Sequence, residues 1–132
     1  MGYIQWNKSV KVNVPIIDKQ HKNMVELTNK LHDFVETNNN TQIKKNLEFL
    51  IDDLKIHFET ENKMMTDSKL PNFISHKLEH DRFYNKMNGL YLSVKTGKQK
   101  LTLEDLKSVK IWFFNHMDFK DRVLADHILA NS

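Results

Sequence analysis

Cysteine is absent from the chain, which excludes disulfides, zinc–thiolate sites and thiol chemistry. Any metal it binds must be held by nitrogen and oxygen. Two prolines and three glycines in 132 residues are too few turn-formers for an all-β domain, so an all-α globule is expected. No apolar run approaches the roughly 20 residues of a membrane span. The N-terminal MGYIQWNK lacks the apolar stretch of a signal peptide and, with Trp6 where Ser or Thr is required, a myristoylation pattern. These absences lead to the expectation of a cytoplasmic protein with no membrane partner. There is also no block of like charges, so the formal net charge of +3 reads as lysines on solvated faces, and no nucleic-acid partner is expected. At this length a single domain over residues 1–132 is expected.

What the chain does have is helical periodicity. Residues 1–17 show none, and Pro15 followed by Asp18 suggests an extended arm leading to an N-cap. From there Ile17, His21, Met24, Thr28, Leu31 and Val35 recur at three- and four-residue spacing until the asparagines at 38–40, predicting a helix over about 18–38. Thr41 is the expected cap of a second helix, about 41–65, with a seam of Ile43, Leu47, Leu50, Leu54, His57, Phe58, Glu61 and Met65. A third, about 71–95, carries Phe73, His76, His80, Phe83, Met87, Leu90 and Val94 and breaks at Thr96-Gly97. Thr102 and Asp105 resemble a capping box opening a fourth, about 103–120, with Leu106, Val109, Phe113 and His116 on its seam. Short connections between four such helices predict an up-down-up-down antiparallel four-helix bundle with an extended N-terminal arm.

Five of the seven histidines, His21, His57, His76, His80 and His116, interrupt these seams, as does Glu61. An unpartnered buried polar group costs about 1–3 kcal/mol, and a buried carboxylate more, so the set requires a common compensating partner. Antiparallel topology brings the start of the first helix, the end of the second, the start of the third and the end of the fourth to one end of the bundle. All six residues lie there. His57 with Glu61, and His76 with His80, are i, i+4 pairs on one face. His116 and Asp121, five apart, fall about 140° out of phase on an ideal helix, so a distortion or helix end is expected between them. His32 is displaced by about 16 Å along the axis from His21 and cannot share the site; His127 reads as structural or solvent-facing. The stretch HKLEH is not a zinc-protease motif, because Lys77 stands where that chemistry needs Glu, and Glu79 is expected to face away from His76 and His80.

DKQH at 18–21, HFETE at 57–61, HKLEH at 76–80 and HMDFKD at 116–121, with Trp6 in the arm, resemble the single-domain bacterial members of the hemerythrin family over essentially the whole chain. The resemblance implies a non-haem di-iron centre. His76, His80 and His116 would hold one iron, His21 and His57 the other, and Glu61 and Asp121 would bridge both. With one nitrogen fewer, the second iron keeps a coordination position for O2. The implied function is reversible O2 binding, for storage, delivery or scavenging, by a monomer that is not an enzyme. Five imidazoles and two carboxylates lean away from the carboxylate-rich sites of oxidising di-iron proteins. Phe58, Trp112, Phe113, Met24 and Ile17 are candidate walls of a dry O2 pocket, and ordinary core packing accounts for each equally well. Two alternatives are a redox or O2 sensor acting through a partner and a di-iron enzyme handling peroxide, nitric oxide or iron.

Overall fold

The structure, a computed structural model, describes residues 3–6 and 8–131. Met1, Gly2, Asn7 and Ser132 lie outside the described residues. Helices α1 (Pro15–Glu36), α2 (Asn40–Asp67), α3 (Phe73–Lys95) and α4 (Leu103–His116) form the bundle. A π-helical turn, Met117–Asp121, joins α4 to α5 (Arg122–Ala130), so the last three pieces make one continuous rod. There is no strand among the described residues. α1 packs against α2 and α4, and α2 against α3, with short links at each corner, giving the expected antiparallel four-helix bundle.

The ends of the helices follow local chemistry, and two expected caps are displaced. Asp18 does not cap α1: the helix begins at Pro15, whose missing N–H and fixed φ suit the first turn, with Val14 as N-cap. The Asp18 carboxylate instead accepts from the backbone N–H groups of Val12 (2.8 Å) and Asn13 (3.0 Å). It ties the arm to the helix it precedes. The arm is also shorter than expected and contains a 3-10 turn at Lys8–Val10. At the second corner Asn39 displaces Thr41 as the cap of α2, accepting from the Gln42 N–H. Asn38, at φ 55°, ends α1 two residues early in the left-handed conformation. The same reversal ends α2 at Lys69 and α3 at Gly97, each with paired return hydrogen bonds such as Asn39 N–H to the Phe34 carbonyl (2.9 Å) and Lys98 N–H to the Ser93 carbonyl (2.9 Å). His127 donates to the Ser68 carbonyl at the end of α2, a structural role as expected.

The capping box at Thr102 and Asp105 forms in both directions.

Two apolar clusters result. The larger runs through the bundle from Met24, Leu31 and Leu47 to Phe58, Phe83 and Phe113. The smaller, Val12, Val14, Ile17, Met65, Leu70, Leu124 and Ala125, closes one end.

Candidate metal centre

Between these clusters lies a layer of buried polar side chains. Ile17, Met65 and Leu124 of the end cluster stand one turn outward from His21, Glu61 and Asp121. Met24, Leu54, Phe83 and Phe113 of the main core stand one turn inward from His21, His57, His80 and His116. The polar layer is therefore sealed from water on both sides along the bundle axis. His21, His57, His76, His80, His116, Glu61 and Asp121 are all buried, both carboxylates at 0% exposure.

Their reactive atoms converge in two overlapping groups. Glu61, His76, His80, His116 and Asp121 form one; His21, His57, Glu61 and Asp121 form the other. Asp121 belongs to both through different oxygens: Oδ1 lies 3.0 Å from Nε2 of both His76 and His116, whereas Oδ2 lies 2.7 Å from Nε2 of His21. Glu61 Oε1 is 3.0–4.0 Å from Nε2 of His57, His76, His80 and His116. All seven expected residues meet. His32 pairs with Glu36 on the surface and stacks on Tyr3, away from the layer.

The π turn resolves the five-residue spacing of His116 and Asp121. Its wider winding, about 4.4 residues per turn, returns position i+5 to nearly the face of position i. Sequence phase demanded a distortion here, and this is the one the chain adopts.

The donor chemistry fits a metal. Nε2 atoms of His21 and His57 approach to 3.2 Å, and those of His80 and His116 to 3.1 Å, so lone pairs point at one another unless a cation or proton is shared. Neither oxygen of Glu61 accepts a hydrogen bond among the described residues, an expensive state for a buried carboxylate without a metal. Imidazole nitrogen and carboxylate oxygen are suitable iron donors.

Without metal, protons substitute for it. Burial pulls the His57 imidazole down, but the negative charges of Glu61 and Asp121, both close to its Nε2, overcome this and raise it to about 10. His76 is treated alike, burial being outweighed by Asp121 and Glu61, and rises to about 9. At His80 burial wins, joined by the like charges of His116 and His76, and the imidazole falls to about 4. For the two carboxylates burial acts upward, yet the surrounding imidazoles hold both below the usual range, His57 dominating at Glu61 and His116 at Asp121.

Three residues to which the sequence assigned no part in the centre hold the other ring nitrogens of His57, His80 and His116. Gln20 Oε1 is 2.8 Å from Nδ1 of His57, Asn62 Oδ1 is 3.0 Å from Nδ1 of His80, and Glu79 Oε1 is 3.2 Å from Nδ1 of His116. Accepting from Nδ1–H leaves Nε2 as the lone pair facing the layer. Gln20 is itself oriented by donating through Nε2 to Thr60 Oγ1 (3.1 Å). Each neighbours a layer residue in sequence but serves the next helix, α1 to α2, α2 to α3, α3 to α4. Glu79, expected to face away from His76 and His80, reaches across to His116 of the same layer. The ring stops at His21, whose Nδ1 has no partner among the described residues.

Of the five expected pocket walls, Met24, Phe58 and Phe113 lie in the main core, with Trp112 packed against it, and Ile17 in the end cluster. Phe58 stacks on His80 at 4.2 Å and Trp112 on His116 at 4.3 Å. A groove of about 370 Å³ between α2 and α3 reaches Phe58, Asn62 and the edge of His80. No helix among the described residues is long and apolar enough to cross a membrane.

Residues 12–128 match the model of the hemerythrin HHE cation binding domain. The chain is 32% identical to a bacteriohemerythrin of Methylococcus capsulatus, covering 98% of this chain and 100% of that protein. It is 27% identical to the myohemerythrin of Theromyzon tessulatum over 88% of each. The crystal structure of a wild-type hemerythrin superposes with a TM-score of 0.90 at 30% identity, covering 94% of this chain and 96% of the other. A buried layer of imidazoles and carboxylates able to hold metal, in a bundle of this form and with these relatives, places the chain in the hemerythrin family.

Proposed function

We propose that this chain is an oxygen-binding protein, not an enzyme, that takes up O2 reversibly at a non-haem di-iron centre for storage, delivery or scavenging. His76, His80 and His116 would hold one iron, His21 and His57 the other, with Glu61 and Asp121 shared. The observation that carries this reading is the division of Asp121, one oxygen toward each imidazole group. The chemistry that an iron pair supplies when bound is the reversible two-electron reduction of O2.

The protein's part is orientation and exclusion. Gln20, Asn62 and Glu79 fix the tautomers of His57, His80 and His116, so that three Nε2 lone pairs face inward without rearrangement. The apolar layers above and below keep out bulk water, which would otherwise supply protons and make oxidation irreversible. Phe58, Trp112, Phe113, Met24 and Ile17 would wall the space that O2 enters.

Metal analysis of the purified protein is expected to give two irons per chain. The reduced protein should gain an optical band on admission of air and lose it under vacuum. Prompt, irreversible oxidation at full iron occupancy would sink the carrier reading.

A further inference from the structure

Resting on the di-iron reading, we propose that Glu79 is a positioning residue for one half of the centre. Its carboxylate, opposed by Lys120, sets the donor strength of His116 and so makes the metal ion at His76, His80 and His116 different from the one at His21 and His57.

The acceptors behind the imidazoles are not equivalent. Gln20 and Asn62 offer His57 and His80 a neutral amide oxygen, whereas His116 faces a carboxylate, Glu79 Oε1 at 3.2 Å. A carboxylate drawing on Nδ1–H gives the ring more anionic character and makes Nε2 the stronger donor. The ring cannot evade this partner. Trp112 lies against its face at 4.3 Å with planes inclined by 13°, and Phe83 backs Trp112 at 3.7 Å. Stacking sets the plane of the imidazole, and Glu79 sets its direction within that plane.

Glu79 is itself opposed. Lys120 Nζ lies 3.5 Å from Glu79 Oε2 and donates to Ser75 Oγ at 2.8 Å, so the two α3 residues hold it from both sides. Lys120 belongs to the π turn; the extra residue that aligns His116 with Asp121 therefore also seats the cation beside Glu79. Both side chains are partly exposed, at 34% for Glu79 and 22% for Lys120, so the cation offsets the carboxylate only in part. Removing either charge should act on His116 with opposite sign.

Glu79→Gln keeps an acceptor of the same shape and removes the charge; Lys120→Met removes the opposing cation. Each variant and the wild type would be loaded anaerobically with ferrous iron and titrated with a ferrous chelator, release being followed per equivalent. In Glu79→Gln one of the two equivalents is expected to leave about ten-fold more readily, the other unchanged. In Lys120→Met that same equivalent should be held more tightly than in the wild type. The metal-free proteins should melt alike. A purely structural role would loosen both equivalents, or move both variants in one direction; either result overturns the proposal, as does no change in Glu79→Gln. If the wild-type chain takes up no iron, the di-iron reading itself falls and this proposal with it. Two irons in the wild type with an unaltered variant would refute the role of Glu79 alone.

Discussion

Asp121 sits at the junction of the two imidazole groups with each oxygen committed to one of them, and this explains how a fully buried carboxylate stays ionised. The positive charge around it, metal or proton, outweighs the cost of burial. Metal and proton therefore compete for the same sites. His57 and His76, raised to about 10 and about 9, are protonated in the metal-free protein near neutral pH and must lose those protons to ligate. Loading at about pH 7.5 is expected to release about two protons per chain from this pair, measurable calorimetrically in buffers of differing ionisation enthalpy; release near zero would contradict it. The sign for metal-free stability follows. A raised imidazole stabilises the fold fully below its unfolded pKa of about 6.5, and that contribution is lost as pH climbs through the folded values. Metal-free protein should thus weaken between pH 6.5 and 10 by this route, while metal binding strengthens over the same range. His80→Ala tests the sorting of histidines: iron is expected to be lost and the melting temperature of protein purified with iron to fall, whereas His32→Ala keeps its iron. Equal loss in both would refute the sorting.

The π turn shows how one inserted residue can be structural and chemical together. In an α-helix His116 and Asp121 would diverge by about 140°; the wider turn brings them onto one face and leaves α5 in phase to bury Leu124 and Ala125. The capping box at the opposite end of α4 has no such double duty. Thr102→Ala and Asp105→Ala should each cost about 1 kcal/mol in chemical denaturation. The double variant should cost clearly less than their sum, because the two hydrogen bonds are reciprocal, and iron content should not change. Full additivity would argue against a coupled box. These ends also show what was legible in advance. The four rods, the capping box and the need for a distortion follow from period and phase, which the backbone enforces locally. The caps at Val14 and Asn39 were not legible, because Val14 has no capping side chain to reveal it and Thr41 is a cap chemistry comparable to Asn39. The choice depended on Pro15 admitting an earlier start and Asn38 accepting φ 55°. The seven clustered side chains show in the sequence because six displace apolar residues from seams and Asp121 completes the HxxxxD spacing. Gln20, Asn62 and Glu79 do not, since each serves a histidine 37, 18 and 37 residues away, a relation set by helix packing alone.

Across the bundle, the alternation of main core, polar layer and end cluster implies that two separable sources stabilise the molecule. The main core extends far from the polar layer: Ile43 is buried in it and stands fourteen residues before His57 on α2, about 21 Å along the axis. The polar layer, by contrast, contributes to stability only when its charges are matched, and buried groups left without their partner are a liability of about 1–3 kcal/mol each. Stripping iron should therefore lower the melting temperature without dissolving the helices, since no apolar contact of the main core is lost. Distance then predicts independence. Ile43→Val should cost about 0.5–1.5 kcal/mol in iron-loaded and metal-free protein alike, because sites farther apart than about 10 Å add within a few tenths of a kcal/mol. The stabilisation conferred by iron, the difference between the two forms, should be the same in Ile43→Val as in the wild type. A smaller iron effect in the variant would mean that the main core and the metal layer fold as one coupled unit, and that the centre draws on packing along the whole length of α2 and not only on the turns that flank it.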